Sequence, residues 1–289
     1  MTHFDFSPQA IAVLAQADVA RALAEDVGAG DLTAALIDPQ RRARARVLVR
    51  EPAVLCGSAW ASAAVLALDP SATLTWTVAE GQRTQTDQVV LQMEGQAQAL
   101  LTAERTALNF MQLLSAVATH TASFVDAIAG VSGNRAVIVD TRKTLPGLRL
   151  AQKYAVRAGG GTNHRIGLYD AVLIKENHIA AAGGVRAALE RAQTVAAQAE
   201  FIEIEVETLA QLEEALSAGA RMVLLDNMSF DQMRQAVALN AGRAILEVSG
   251  GVNMATVREI AATGVDRISI GALTKDVRAT DFSMRMEDM

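Results

Sequence analysis

The chain has 289 residues, a formal net charge of −6 and 51% hydrophobic residues. That length suits one large domain or two moderate ones, and the apolar content is ample for a buried core. The acidic balance argues against nucleic-acid and membrane-surface partners, which repel net negative charge. The single Cys excludes disulfide frameworks and Cys-based zinc sites. With no apolar run near the ~20 residues of a bilayer span and no signal-like N-terminus, the expectation is a soluble, cytoplasmic globular protein.

Apolar residues at helical spacing (Ile11, Leu14, Val19, Leu23) predict a helix over Pro8–Glu25, ended by the turn-rich stretch EDVGAGDLT. From Ala43 to Gln98 the segments ARARVLVREPAVLCG, ATLTWTVAEGQ and QVVLQMEGQAQAL alternate or run apolar, which predicts strands with a short helix at Ala59–Leu68. Thr102–Ile128 reads as one long helix or two, and as a natural domain boundary. Beyond it, strand candidates at Ala136–Asp140, Ala171–Ile174, Phe201–Val206, Met222–Leu225, Ala244–Val248 and Arg267–Ile270 alternate with helical patterns at Leu148–Ala158, Val185–Ala197, Leu209–Ala218, Phe230–Ala238 and Met254–Ala262. Strict alternation means βαβ units and a parallel sheet, and six units in about 140 residues point to a barrel. The tail DFSMRME reads as a strand that returns to the N-terminal sheet.

Parallel barrels gather chemistry at the C-terminal ends of their strands. There the sequence places Asp140-Thr141-Arg142-Lys143, Lys175-Glu176-Asn177-His178, Glu203 and Glu205, Asp226-Asn227, Ser249-Gly250-Gly251 and Ser269-Ile270-Gly271. Basic residues are concentrated between Arg135 and His178. Arg149, Lys153 and Arg157, at i, i+4 and i+8, fit a solvated helix face. Arg142, Lys143, Arg165 and Lys175 lie at strand ends or in a Gly-rich loop, and point to a strongly anionic ligand. The SGG and SIG segments after the last two strands suit phosphate. Glu205 and Asp226 suit a divalent cation or sugar hydroxyls. Glu203 and Glu205 share a strand face, so both could line the barrel, or one could be a buried ion-pair partner.

Other polar residues carry less. Arg41, Arg42, Arg44 and Arg46 read as an exposed strand edge or face without a role, and Cys56 as core. Ser115 and Ser123 lack a partner base, and His3 and His120 read as structural or surface residues. No nucleophile constellation emerges. Positioning and electrostatics remain, as reactions with a diphosphate leaving group require.

The stretch DTRKTLPGLRLAQKYAVRAGGGTNHRIGLYDAVLIKENHI resembles the signature of the quinolinate phosphoribosyltransferases (nicotinate-nucleotide diphosphorylases, carboxylating). EDVGAGDLT, AERTALNFMQLLSAVAT, EIEVETLAQLEEAL, VLLDNM, EVSGGVN and GVDRISIGALT extend the resemblance over almost the whole chain in family order. One departure is a longer turn around Ser132–Arg135, away from the motifs. The resemblance implies transfer of the phosphoribosyl group of phosphoribosyl diphosphate to quinolinate with decarboxylation. The products are nicotinate mononucleotide, diphosphate and CO2, as in de novo NAD synthesis. It also implies an α/β fold with an N-terminal α/β open-faced sandwich (residues 1–114, rejoined by the tail 276–289) and an incomplete, six- to seven-stranded parallel α/β barrel (residues 115–275).

Carried over by residue, the quinolinate-binding cluster falls on Arg142, His164, Arg165 and Lys175. Arg105 is implied to reach the site of a neighbouring subunit, which makes a homodimer or hexamer the expected assembly. Thr141 falls among the substrate-binding residues, and Lys143 matches a catalytic Lys that contacts phosphoribosyl diphosphate. Glu205 and Asp226 match the catalytic acids at the ribose and at Mg2+, held directly or through water. Glu205 is preferred to Glu203 for its spacing of 21 residues before Asp226. Ser249, Gly250, Gly251, Ser269, Ile270 and Gly271 match the 5′-phosphate loops.

Three other readings compete. A molybdenum-transport-associated paralogue shares much of the TRKTxPG and HR pattern, although IKENH resembles the quinolinate enzyme. A Schiff-base lyase would use Lys175 or Lys143 at a strand end. A non-catalytic phosphoribosyl-ligand binder would not require both the cation cluster and the metal-binding acid pair.

Overall fold

The structure is a computed structural model that describes residues 4–287; His3 lies outside the described residues. Ser7 accepts the Ala10 N–H and Pro8 occupies the first turn, so α1 (Pro8–Asp26) starts where a capping oxygen and a residue without N–H are tolerated best. Then follow β1 (Arg42–Val49), α2 (Ser58–Leu68), β2 (Thr73–Trp76), β3 (Gln88–Gln96) and α3 (Ala97–Ile128). The long helical segment is thus a single helix of 32 residues, and it takes over Ala97–Leu100 from the predicted strand. The barrel-type alternation comprises β4 (Val137–Val139), α4 (Arg149–Ala158), β5 (Val172–Ile174), α5 (Glu176–Ala182), α6 (Val185–Ala192), β6 (Ile202–Val206), α7 (Leu209–Ser217), β7 (Met222–Asp226), α8 (Phe230–Asn240), β8 (Ile245–Ser249), α9 (Val257–Ala262) and β9 (Arg267–Ser269). The short α10 (Ala272–Lys275) and the tail strand β10 (Phe282–Glu287) complete the chain.

Two compact units result. One comprises Asp5–Ala122, Leu145–Gly160 and the tail from Asp276; the other comprises Ser123–Thr144 and Gly161–Lys275. The first unit is built on an antiparallel sheet of order β10-β1-β3-β2. In β1, Ala43, Ala45, Val47 and Val49 are buried, while Arg42, Arg44 and Arg46 face solvent with period two. β1 lies between β10 and β3, so these arginines form a face and not an edge. Arg44 pairs with Glu94 and Arg46 with Glu287, both at 3.1 Å. Trp60 is fully buried and donates its indole N–H to Asp18 at 2.9 Å. Cys56 is also core: it is fully buried, its backbone N–H donates to Ser115 Oγ, and burial pushes its thiol pKa up.

One sequence expectation fails in this unit. Lys153 is fully buried on α4, Arg149 is half-buried and only Arg157 is exposed, its guanidinium 5.0 Å from the Phe6 ring centroid. A spacing of four residues advances a helical row by about 40° per step. The row therefore crosses from the buried face to the exposed one, and a solvated stripe does not form.

The second unit carries a six-stranded sheet of order β4-β9-β8-β7-β6-β5, and every pairing in it is parallel. No pairing joins β4 to β5 among the described residues, so the barrel is incomplete and has six strands. Register decides what shares its inner face. Glu205 pairs with Leu224, Leu224 with Glu247, and Glu247 with Arg267. Partners in register share a face, as do residues two apart along a strand. One face therefore collects Glu203, Glu205, Asp226, Glu247, Ser249, Arg267 and Ser269.

Candidate active site

The site residues of the second unit lie at the C-terminal ends of β4 to β9. Beyond β4, Thr141 Oγ1 accepts the Lys143 N–H at 3.1 Å, and the Lys143 carbonyl accepts from Thr274 Oγ1 at 2.8 Å. This ties the β4 end to the turn after β9. A Cβ added at Gly271 would stand 3.0 Å from Lys143 Cδ and 3.7 Å from its Nζ, so the Lys143 side chain lies directly over that turn. At the end of β5, Lys175 Nζ donates to Glu205 Oε2 of β6 at 3.0 Å. Asp226 ends β7; burial raises its carboxyl pKa, Lys175 opposes that, and Glu207 and Glu176 add to it.

Asn227 takes a left-handed φ of 52°, and its side-chain amide donates to Asp226 Oδ2 at 2.7 Å. Its backbone N–H donates to the Ser249 carbonyl at 3.1 Å. Gly250 next to it has φ +97°, and a Cβ there would fall 2.0 Å from Asn227 Oδ1. Only glycine fits on both counts. The two strand-end turns, at Asp226 and at Ser249–Gly251, are built against each other.

The Gly161–Ala171 loop presents Arg165. Asp140, fully buried at the end of β4, accepts the His164 N–H at 2.8 Å and the Asn163 side-chain amide at 2.7 Å. Asp170 closes the other side by accepting the N–H groups of Ile166 and Gly167 at 2.6 and 2.8 Å. Arg165 donates to the Ala171 carbonyl at 3.2 Å. Burial lowers its pKa first and the nearby Arg142 guanidinium lowers it further, so two guanidinium groups repel each other in this corner.

His164 points away from the rim. Its Nε2 is 2.8 Å from Glu203 Oε2 and 3.4 Å from Glu247 Oε1. Glu247 is fully buried; it pairs with Arg267 at 2.7 Å and accepts from Ser269 Oγ. Glu203 is fully buried as well, and desolvation together with the Glu247 charge pushes its carboxyl up to about 7. Burial alone would lower the His164 pKa, but the hydrogen bond to Glu203 and the two acid charges raise it.

Of the two acids on β6, Glu203 is thus the buried ion-pair partner and Glu205 reaches the rim. Within the phosphate-loop candidates, Ser269 turns its hydroxyl inward to Glu247, and Ile270 is buried with its N–H donated to the Val139 carbonyl at 2.9 Å. Ser249, Gly250 and Gly271 are half-buried and Gly251 is exposed. Arg105 is exposed on α3 of the first unit. A cavity of about 190 Å3 in that unit, lined by Thr106, Asn109 and Glu25 among others, holds none of the candidate residues. Sequence reasoning gave no role to Asp140, Asp170, Glu247 or Arg267. The signal for Glu247 was a lone charge inside the apolar strand AILEVS, which is rare unless the charge is paired.

Residues 31–115 match the N-terminal domain of quinolinate phosphoribosyl transferase, and residues 117–285 match its C-terminal domain. The chain belongs to the quinolinate phosphoribosyltransferase family. It is 39% identical over 260 residues to a probable nicotinate-nucleotide pyrophosphorylase (carboxylating) of Bacillus subtilis, spanning 90% of this chain and 89% of that one. Identity to the Mycobacterium leprae nicotinate-nucleotide pyrophosphorylase (carboxylating) is 43% over 276 residues, 92% and 95% of the two chains. The solved nicotinate-nucleotide pyrophosphorylase of Francisella tularensis is similar with a TM-score of 0.92 at 41% identity, covering 99% of this chain and 100% of that one. The resemblance read from the motifs and the α/β fold with an incomplete barrel are both borne out.

Two acid sets on this phosphoribosyltransferase-family barrel invite a cation. His164, Glu203 and Glu247 offer ligand atoms within 4.8 Å of one another. There, however, Arg267 and the imidazole already supply positive partners at 2.7 and 2.8 Å. Glu205 and Asp226 are hard oxygen donors beside the phosphate-loop candidates, which is the donor chemistry Mg2+ prefers. No helix among the described residues is long and apolar enough to cross a membrane.

Proposed function

We propose that this chain transfers the phosphoribosyl group of phosphoribosyl diphosphate to quinolinate and decarboxylates the product to nicotinate mononucleotide. One observation supports this reading above the others. The guanidinium groups of Arg142 and Arg165 lie close enough to repel each other, and Lys175 follows β5 at the same end of the sheet. Such a corner favours a ligand with two carboxylates.

Arg142, Arg165 and Lys175 grip the dicarboxylate and set its pyridine nitrogen towards the anomeric carbon of the ribose. The nitrogen–carbon bond forms as the bond from that carbon to the diphosphate oxygen breaks. Lys143, over the turn at Gly271 and beside Thr141, stands against the departing negative charge. Ser249, Gly250, Gly251 and the turn around Ser269, Ile270 and Gly271 seat the 5′-phosphate. Glu205 and Asp226 hold the ribose hydroxyls and would hold Mg2+. When bound, Mg2+ offsets the charge of the diphosphate. Alkylation of the nitrogen makes the ring an electron sink. The adjacent carboxylate then leaves as CO2, its electron pair stays on the ring carbon, and that carbon takes a proton from water.

The protein acts as a homodimer, or as a hexamer built from three such dimers, in which Arg105 completes the partner's site. The buried, unpaired Cys56 suits a reducing cytoplasm. Incubation with quinolinate, phosphoribosyl diphosphate and Mg2+ tests the reading: nicotinate mononucleotide and CO2 should form in equal amounts, and nicotinate should substitute poorly. No product, or a lysine imine trapped by borohydride reduction with a carbonyl substrate, overturns it. Mixing Arg105→Ala with Lys143→Ala protein should restore activity in hybrid dimers, and hybrids that stay inactive would refute the shared site.

A further inference from the structure

We infer that Glu203, with Glu247 behind it, is a positioning residue for the loop that presents Arg165, and that His164 is the link between them and not a ligand contact. Both ring nitrogens of His164 are engaged inside the protein. Nδ1 accepts the backbone N–H of Arg165 at 2.7 Å, so the ring proton sits on Nε2 and is donated to Glu203 Oε2 at 2.8 Å. The ring is buried and packs edge-on against Phe201, with centroids 5.4 Å apart and planes at 74°. The imidazole is therefore held on one side by Glu203 and Phe201 and on the other by the backbone of Arg165.

The consequence for Arg165 is direct. Its own N–H is bonded to the imidazole, the preceding N–H to Asp140, and the two following N–H groups to Asp170. Asp140 and Asp170 shape the loop from within and beside it. The His164–Glu203 contact ties it to the middle of the barrel sheet. Glu247 extends that tie, since it lies 3.4 Å from the same ring nitrogen, accepts from Ser269 Oγ, and is held by Arg267. Glu203 Oε1 has no hydrogen-bond partner, so its hold on the loop runs through Oε2 alone. A buried carboxyl–imidazole contact would be costly in this setting if it served packing only, because apolar residues of similar volume usually do that as well or better. Specifying one ring orientation next to a binding arginine is the use that matches the geometry.

The role of the loop in binding quinolinate rests on the function proposed above; the tie itself does not. Two variants separate acceptor from bulk. Glu203→Leu keeps the volume and removes the acceptor, whereas Glu203→Gln keeps an oxygen for the Nε2–H. In Glu203→Leu, amides 161–167 should exchange with deuterium at least about tenfold faster. The quinolinate KM should rise about tenfold, while kcat and the KM for phosphoribosyl diphosphate stay within about threefold. Glu203→Gln should restore most of both properties.

Unchanged loop exchange in Glu203→Leu overturns the inference. So does an equal rise of both KM values with faster exchange throughout β6 to β9, and so does a Gln variant as impaired as the Leu variant. If Glu203→Leu does not fold, His164→Phe removes the same hydrogen bond while keeping the ring on Phe201, and must loosen the same amides. If the wild-type protein makes no nicotinate mononucleotide, the proposed activity falls, and exchange at 161–167 alone decides the tie.

Discussion

Lys175 Nζ lies 3.0 Å from Glu205 Oε2, so a cation assigned to quinolinate and an acid assigned to the ribose and metal are charge partners across β5 and β6. The contact is lopsided: the Lys175 side chain is 47% exposed and that of Glu205 11%. Lys175 can therefore swing to a ligand carboxylate, while Glu205 stays in place. Removing the cation should affect both substrates in opposite senses. Lys175→Met is expected to raise the quinolinate KM roughly 10- to 100-fold, as loss of a charge-assisted contact does. It should also lower the Mg2+ concentration for half-maximal rate several-fold, because Glu205 loses its competing cation. Steady-state rates over a Mg2+ series check this, and an unchanged Mg2+ dependence would remove Glu205 from the metal site.

Arg165 is 9% exposed and already gives one donor to Ala171, which leaves the rest of its planar fork for the ligand. Lysine cannot reproduce two parallel donors. Arg165→Lys should weaken quinolinate binding about 10- to 100-fold, each ~1.4 kcal/mol being a factor of ten, and barely change phosphoribosyl diphosphate binding. Asp226→Asn should do the reverse, with a defect that depends on Mg2+. Calorimetric titration of both ligands into both variants gives the four affinities. Equal losses throughout would mean that these residues support the fold and not the ligands.

Gly250→Ala tests how tightly the two strand-end turns fit. The new Cβ would fall 2.0 Å from Asn227 Oδ1 at φ +97°, so either the Asn227 amide leaves Asp226 or the turn shifts. Both outcomes disturb the phosphate and ribose side of the site. The KM for phosphoribosyl diphosphate should rise by at least about tenfold, with the quinolinate KM little changed and the melting temperature lowered by a few degrees. A variant with wild-type kinetics would show that this turn does not hold the phosphate.

The buried acids also set a pH signature. Glu203 has its folded pKa raised from 4.5 to about 7, so the folded chain keeps a proton that the unfolded chain releases between those values. The sign follows: stability should fall as pH rises from about 4.5 to 7. Melting curves over that range should show the decline in the wild type and a flatter profile in Glu203→Gln. A stability that rises with pH, or an equal slope in the variant, would contradict the assignment.

The sequence alone determined the family, the alternation of strand and helix, and the rim positions, because these depend on local periodicity and on motifs whose residues lie close together in the chain. DTRKT and NHRIG carry most of the charged loop, and β1 announced its outward arginines through an unbroken period of two. Glu203 and Glu205 show where that reading ends. Periodicity put both on one strand face, but only the partners that β8, β9 and the loop at His164 bring from 39 to 64 residues away made one a buried anchor and the other a rim acid. Lys153 is the same lesson in a helix: its charge pattern is local, whereas its burial belongs to the unit it packs into. Charge neutralisation inside a barrel is a long-range property, set by which strands pair and in which register. No window of neighbouring residues contains it.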